Sequence, residues 1–232
     1  MSHSAGIDAI SRPESTPAEK VQLLNVEIDN LTMEELLARL DRGTICTIHS
    51  DMLMWLQRDR EFYEIYKRCD YITCDSQILT FATRLLGTPV KERLSGSDFL
   101  PRFYEYHKNN FDISLFLLGG LGDVADRARD IINRKVGRNI VVGSYSPPVG
   151  AEKSDVACQE MLNMVNESMA SVLVLGMGSP KQERFLDRFR NELPHVRIFL
   201  PLGGALDYEA GVMKRPPAWI SNIGLEDRKS VV

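Results

Sequence analysis

Asp75 follows the short apolar run Tyr71–Cys74 (YITC) and precedes Ser76-Gln77. A carboxylate at the end of a strand reaches the crevice where α/β proteins hold ligands, and there it can take a proton from an attacking hydroxyl. The structural alternative is a helix cap for the segment from Ser76 onward. A second constellation is Ser171–Phe185, SVLVLGMGSPKQERF. Val172–Leu175 is apolar and β-branched without alternation, as in a strand buried on both faces. Gly176 and Gly178 break it, and the spacing predicts Ser179 as a helix N-cap, Pro180 at the first helical position and Gln182 three residues after the cap. Such a helix start, beside Lys181, offers free N–H groups and a positive dipole end to an anion, above all a phosphate. A tight βα turn that needs small residues explains the same glycines without a ligand.

Other residues have weaker claims. His49 ends the run Thr44–His49 on the same side as Asp75, with a structural role as its alternative. Asp207 follows Gly203-Gly204 and has the chemistry to hold ribose hydroxyls or to cap a helix. Arg93 and Arg215 can hold phosphates or sit solvated. Gly120-Leu121-Gly122-Asp123-Val124-Ala125 fits G-x-G-x-x-A, but Asn139–Tyr145 lacks the carboxylate that a dinucleotide site places about 20 residues on. A mononucleotide carrying a diphosphate fits better than a nicotinamide or flavin. There is no Asp-x-Asp motif; Asp207-Tyr208-Glu209 comes nearest, and no His/Cys cluster has ligand spacing. No metal site is expected.

These groups need elements to position them. After a polar leader, Met1–Lys20, expected to be disordered, the chain becomes extended over Val21–Asn30. Thr32-Met33-Glu34-Glu35 is a capping box, and Gly43 ends the helix it starts. Next come a strand at Thr44–His49, one long helix over Asp51–Cys69, the strand Tyr71–Cys74 and helices over Ser76–Leu86 and Ser97–Asn110. Strands at Ile113–Leu118, Asn139–Val142, Val172–Leu175 and Val196–Leu200 then alternate with helices over Asp123–Lys135, Glu152–Met169 and from Pro180 to Leu193. The pattern is an α/β fold, a Rossmann-like, mainly parallel sheet with helices on both faces and a small N-terminal extension, in one domain over 21–226 that two intimate lobes could make up. Glycine turns at Gly119, Gly143 (with Tyr145), Gly176–Gly178 and Gly203-Gly204 all follow strands, so together with Asp75 they converge on one crevice.

Composition narrows the class. The chain has 232 residues, 44% hydrophobic and 26% charged, with a net charge of −4, which suits a globular protein and argues against nucleic acid as a partner. The four cysteines, Cys46, Cys69, Cys74 and Cys158, form no Cys-x-x-Cys pair and are expected to be reduced thiols of a cytoplasmic protein. No apolar run has the length of a membrane span and no signal peptide is evident, so any membrane contact would be peripheral. The sequence does not set an oligomeric state; a homo-oligomer is compatible with it.

Several stretches resemble the WecG/TagA/CpsF glycosyltransferases (glycosyltransferase family 26): Gly178-Ser179-Pro180-Lys181-Gln182-Glu183; Gly203-Gly204 with Asp207; Ala210-Gly211 with Lys214-Arg215 and Pro217; Asp75 in its strand-end turn; Arg93-Leu94-Ser95-Gly96 with Asp98; and Leu117-Leu118-Gly119. The likeness runs in order from about Val26 to Glu226. It implies an enzyme of bacterial surface-polysaccharide assembly. Such enzymes move a sugar from a UDP-sugar to a polyprenyl-diphosphate-linked acceptor at the cytoplasmic face of the membrane, with inversion and without a bound metal or other cofactor. By position, Asp75 matches the base that deprotonates the acceptor, and Thr47 a motif threonine near it. Gln182 and Asp207 match polar groups of the nucleotide-sugar pocket, and Arg93 matches an arginine at its rim. A non-catalytic nucleotide-binding module or partner subunit is the alternative.

Three departures matter. Thr47-Ile48-His49 stands where Thr-x-Asn is common, and Ser76-Gln77 replaces a glycine-bearing turn. Both touch the pocket, so glucose or a uronic acid is credible as donor sugar beside N-acetylmannosamine. Family members also continue past the equivalent of Gly224-Leu225-Glu226 into an aromatic, basic appendage implied to meet the membrane, whereas here Asp227-Arg228-Lys229-Ser230-Val231-Val232 follows. A common sequencing-adapter string would encode those six residues, so 227–232 are expected to be an artefact, foreign to the natural protein.

Overall fold

Strands without alternation form the centre because both of their faces are covered. The computed structural model describes residues 18–214. A hairpin of β1 (Lys20–Leu23) and β2 (Val26–Asp29) leads into α1 (Met33–Arg39), started by the expected capping box: Glu35 N–H donates to Thr32 Oγ1 and Thr32 N–H to the Glu35 carboxylate. Then come β3 (Gly43–Ile48), α2 (Ser50–Leu56), α3 (Arg60–Lys67), β4 (Tyr71–Cys74), α4 (Gln77–Leu85), α5 (Gly96–Tyr106) and β5 (Leu115–Gly119). The chain continues through α6 (Val124–Val136), β6 (Val141–Tyr145), α7 (Asp155–Glu167), β7 (Val172–Gly176), α8 (Lys181–Phe189), β8 (Ile198–Pro201) and α9 (Ala205–Glu209).

The main sheet has six strands, all parallel, in the order β4-β3-β8-β7-β5-β6. It is the Rossmann-like α/β arrangement that the alternation of elements predicts. Alternate side chains enter different cores. Leu115, Leu117, Val172, Val174, Ile198 and Leu200 pack with α1, α5, α6 and α9. Phe116, Leu118, Leu173, Leu175 and Phe199 pack with α7 and α8. Cys46, Ile48, Ile72 and Cys74 pack with α2, α3 and the hairpin. Asp29 ties that hairpin to the edge strand, since its Oδ2 accepts from Ile72 N at 2.8 Å. Pairing between β3 and β8 is short: only Gly43↔Ile198 and Thr44↔Phe199 are in register, whereas β7 and β8 pair from Val172↔Ile198 to Leu175↔Pro201.

Several expectations change. The single helix over Asp51–Cys69 is two helices, because the Asp59 carboxylate accepts from Phe62 N at 3.0 Å and starts a new one. Ser179 is not the N-cap of α8; Pro180 holds that place, and the Ser179 hydroxyl donates to Glu183 Oε2 instead. Gly143 is not in a turn, because β6 runs on to Tyr145. Cys46 and Cys69 are not reduced thiols but a disulfide; the β3–α3 crossover brings their Cα atoms to 6.2 Å although 23 residues separate them, a proximity that motif spacing does not register. Cys74 and Cys158 are free and buried. Lys20, assigned to the leader, already pairs with Asp29 in β1. The rest of the leader up to residue 17, Arg215, Pro217, Gly224–Glu226 and the tail 227–232 lie outside the described residues.

Candidate active site at the carboxyl edge of the sheet

After β5 the chain moves to β6 through α6, and after β7 it moves the other way to β8 through α8. Neighbouring strands whose connections diverge leave a crevice at their carboxyl ends, the ligand position of open α/β sheets. Gly119 and Gly176 face each other across that point. Gly120 N–H donates to Gly176 O at 3.0 Å. Gly119 has φ +132°, and a Cβ there would lie 2.4 Å from Gly176 C, so only glycine fits. A Cβ on Gly176 would lie 2.7 Å from Leu206 Cδ1 and 3.1 Å from Gly203 O, which puts the turn after β8 against the same point. Ser146, just past β6, donates from Oγ to Gly119 O at 3.0 Å and accepts from Ala125 N at 3.1 Å, pinning the start of α6.

A buried polar cluster braces these turns. Gln182 Oε1 accepts from Gly203 N at 3.2 Å, and Gln182 Nε2 donates to Glu183 Oε1 at 3.0 Å. Ser179 Oγ donates to Glu183 Oε2 at 2.7 Å. Burial raises the pKa of Glu183 above the usual carboxylate value, against the pull of the bonds from Ser179 and Gln182. Gln182 therefore stands at the crevice with its amide already holding the Gly203 turn. Gly178 sits at φ +77° in the bend before it. Lys181, the first residue of α8, is exposed. Gly204 is the N-cap of α9, and the Asp207 carboxylate lies over it, with Oδ2 3.8 Å from where a Gly204 Cβ would be. Half-burial raises the pKa of Asp207.

The second half of the edge comes from β3 and β4. Asp75 N–H donates to Ile48 O at 2.9 Å, and Asp75 Oδ2 accepts from Gly96 N at 3.4 Å. The cap of α4 is Ser76, not Asp75. A Cβ on Gly96 would lie 3.2 Å from Leu202 O, so Gly96 has the Asp75 carboxylate on one side and the Leu202–Gly204 turn on the other. Thr47 and Thr73 are register partners on β3 and β4 and point away from the core formed by Cys46, Ile48, Ile72 and Cys74. Thr73 is buried and its Oγ1 has no hydrogen-bond partner. Tyr66 OH donates to Thr47 O at 2.7 Å; burial, with Glu183 and Asp75 nearby, keeps that phenol protonated far above its usual range.

The remaining candidates are dispersed. His49 caps α2, its Nδ1 accepting from Met52 N at 3.4 Å. Arg93 lies 3.8 Å from Asp98 Oδ2, beside a groove of 580 Å³ on the α5–α9 face. Gly143 makes room for the Phe116 ring, and Tyr145 ends β6 at the edge, opposite Leu118. The structure thus joins Gly119, Gly178, Gln182, Gly204 and Asp207 with Asp75 and Thr47, leaves Arg93 on the flank and gives His49 a capping bond. Sequence reasoning quoted Glu183 and Gly96 within motifs without giving either a role, and missed Ser146 and Thr73. For Glu183 a signal existed, a carboxylate beside Gln182 on the inner face of an amphipathic helix. Among the described residues, no group of three or more His, Cys, Asp or Glu side chains is placed to hold a metal ion, and no helix is long and apolar enough to cross a membrane.

Comparison with known proteins bears on the chemistry. The N-acetylglucosaminyldiphosphoundecaprenol N-acetyl-beta-D-mannosaminyltransferase of Bacillus subtilis (strain 168) is 24% identical over 184 residues, 79% of this chain and 69% of the relative. The Staphylococcus aureus (strain MRSA252) protein of the same name is 22% identical over 222 residues, 92% of this chain and 84% of the relative. The model of the glycosyl transferase WecG/TagA/CpsF family matches residues 21–227, from the hairpin through every element that builds the crevice, and the chain belongs to that family.

Proposed function

We propose that this protein transfers a sugar from a UDP-sugar to a polyprenyl-diphosphate-linked acceptor in bacterial cell-surface polysaccharide synthesis, inverting the anomeric centre. The observation that carries the reading is the contact chain Asp75–Gly96–Leu202, which sets a carboxylate beside the glycine turns of a parallel-sheet crevice. UDP lies against Gly119, Tyr145, Gly178 and Gly204, with Gln182 holding the Gly203 turn, Asp207 toward the ribose and Lys181 at the diphosphate side, while Arg93 stays on the flank. The acceptor hydroxyl attacks the anomeric carbon from the face opposite UDP. Its oxygen–carbon bond forms as the bond from carbon to the diphosphate oxygen breaks, the proton passes to Asp75, and UDP leaves with the electron pair. Thr47 orients the acceptor, and no metal ion is required. Relatives that act on an undecaprenol-linked diphosphate support the acceptor class. The protein works at the inner face of the cell membrane as a peripheral enzyme.

The deciding experiment is a donor screen with UDP-N-acetylmannosamine, UDP-glucose and a UDP-uronic acid, using a short polyprenyl-diphosphate disaccharide precursor as acceptor. One donor should give a lipid-linked product heavier by the mass of its own sugar residue. UDP binding with no transfer from any donor would instead make the chain a nucleotide-binding module.

A further inference from the structure

Helix α4 starts at Ser76, directly after Asp75. Its inner side is filled by Leu79, Thr80 and Thr83, while Ile78, Phe81, Leu85 and the C-cap Leu86 are 50, 59, 73 and 65% exposed. These four fall at i, i+3, i+7 and i+8, one continuous apolar stripe along the outside of the helix. Isolated exposed apolar residues are ordinary, but a stripe of four large ones along a nine-residue helix and its C-cap is a surface that meets something. The adjoining α2, whose Met52 and Leu53 share a core with Leu79, exposes Met54 and Trp55 as well.

The charge around the stripe selects the occupant. Between Asp75 and Glu92 the chain has no acidic residue and carries Arg84 and Lys91, although its overall net charge is −4. Lys91 is paired with Glu35, and Arg84 is exposed beside Leu85. An apolar stripe flanked by an arginine and free of carboxylates matches an anionic lipid surface, in which the side chains enter the acyl boundary and the cation meets headgroup phosphates. A second copy of the chain is distinguished from a bilayer by the light-scattering outcome below. We propose that the outer face of α4 docks on an anionic lipid bilayer. The inference rests on the reading of the acceptor as lipid-linked. It adds that the described core itself carries a docking face, on the helix whose N-cap, Ser76, directly follows Asp75.

The test is co-sedimentation of the full 232-residue chain with vesicles of phosphatidylcholine alone or with 30% phosphatidylglycerol, beside the double variant Phe81→Glu/Leu85→Glu. The wild-type chain should bind the anionic vesicles, and the variant should lose at least tenfold in partitioning while keeping the wild-type melting temperature and UDP affinity. Arg84→Gln, which leaves the apolar stripe intact, should weaken binding to anionic vesicles alone. Equal partitioning of the double variant and wild type would overturn the proposal. So would a wild-type dimer by light scattering that the double variant abolishes, which would make the stripe a contact between copies. Transfer to a water-soluble acceptor with a short lipid is measured in parallel. Its absence with α4-dependent vesicle binding intact would refute the transfer reading alone, and its presence without α4-dependent binding would refute the docking face alone.

Discussion

Replacing Gly119 with alanine tests the crevice directly. The added Cβ would lie 2.4 Å from Gly176 C, 2.6 Å from its O and 2.7 Å from its Cα, all backbone atoms of the adjacent strand. No side-chain rotation relieves this, so β5 and β7 must separate where their carboxyl ends meet. Two penalties add: about 1–3 kcal/mol for holding an L-residue at φ +132°, and about 1–3 kcal/mol for overpacking. For a domain of this size, 1 kcal/mol moves Tm by about 2–4 °C, so Gly119→Ala should melt roughly 5–20 °C below wild type. Gly137→Ala is the control, because Gly137 ends α6 at φ +77° with nothing within 4 Å of its would-be Cβ. It incurs only the backbone term, about 1–2 kcal/mol. Differential scanning calorimetry compares the two, and equal melting temperatures would refute the backbone contact that closes the crevice floor.

Three further outcomes follow from the same geometry. Asp75→Asn keeps the acceptor for Gly96 N–H but cannot take a proton, so turnover should fall roughly 10²–10⁴-fold with UDP affinity unchanged; near-normal turnover would remove Asp75 as the base. Gln182→Ala and Asp207→Ala should each weaken UDP binding by about 1–3 kcal/mol, and the wild-type affinity should persist in EDTA; calorimetry that finds both variants unchanged would displace the nucleotide from these turns. Because burial raises the Glu183 pKa above its usual 4.5, the folded protein holds that proton more tightly than the unfolded chain, and this stabilisation is complete below the unfolded value and lost as pH rises through the folded one. Glu183→Gln should therefore gain on wild type in urea unfolding as pH climbs from about 4.5 to 8, and a gap that stays constant with pH would contradict the buried ionisation.

The sheet was legible in the sequence because its strands are buried on both faces: Leu115–Leu118, Val172–Leu175 and Ile198–Leu200 have no polar interruption to mask their ends. The capping box at Thr32 was legible because its two hydrogen bonds are local. What failed was set by contacts distant in sequence or by a competing local bond. Asp59 broke a helix whose apolar spacing continued through it. Ser179 had the composition of a cap, but a buried carboxylate four residues on offered its hydroxyl a better acceptor. The Cys46–Cys69 proximity exists only once α3 has packed back on β3. Within the site, Asp75 and the glycine turns could be read because strand ends share one edge. Gly96 was visible only as part of a motif, since its place between Asp75 and Leu202 follows from the course of a loop and not from its own spacing.

The short pairing of β3 with β8 has a mechanical consequence. Only Gly43 and Thr44 are in ladder register with β8, so toward the carboxyl edge the strand bearing Thr47 is joined to the strand that leads to Gly203 by packing and by Gly96, not by a backbone ladder. Within the one sheet, β3 and β4 form one well-paired ladder and β8, β7, β5 and β6 another. Asp75 follows one ladder and the glycine turns follow the other, so the spacing between them at the carboxyl edge depends on the loop residue Gly96 that lies between Asp75 and Leu202.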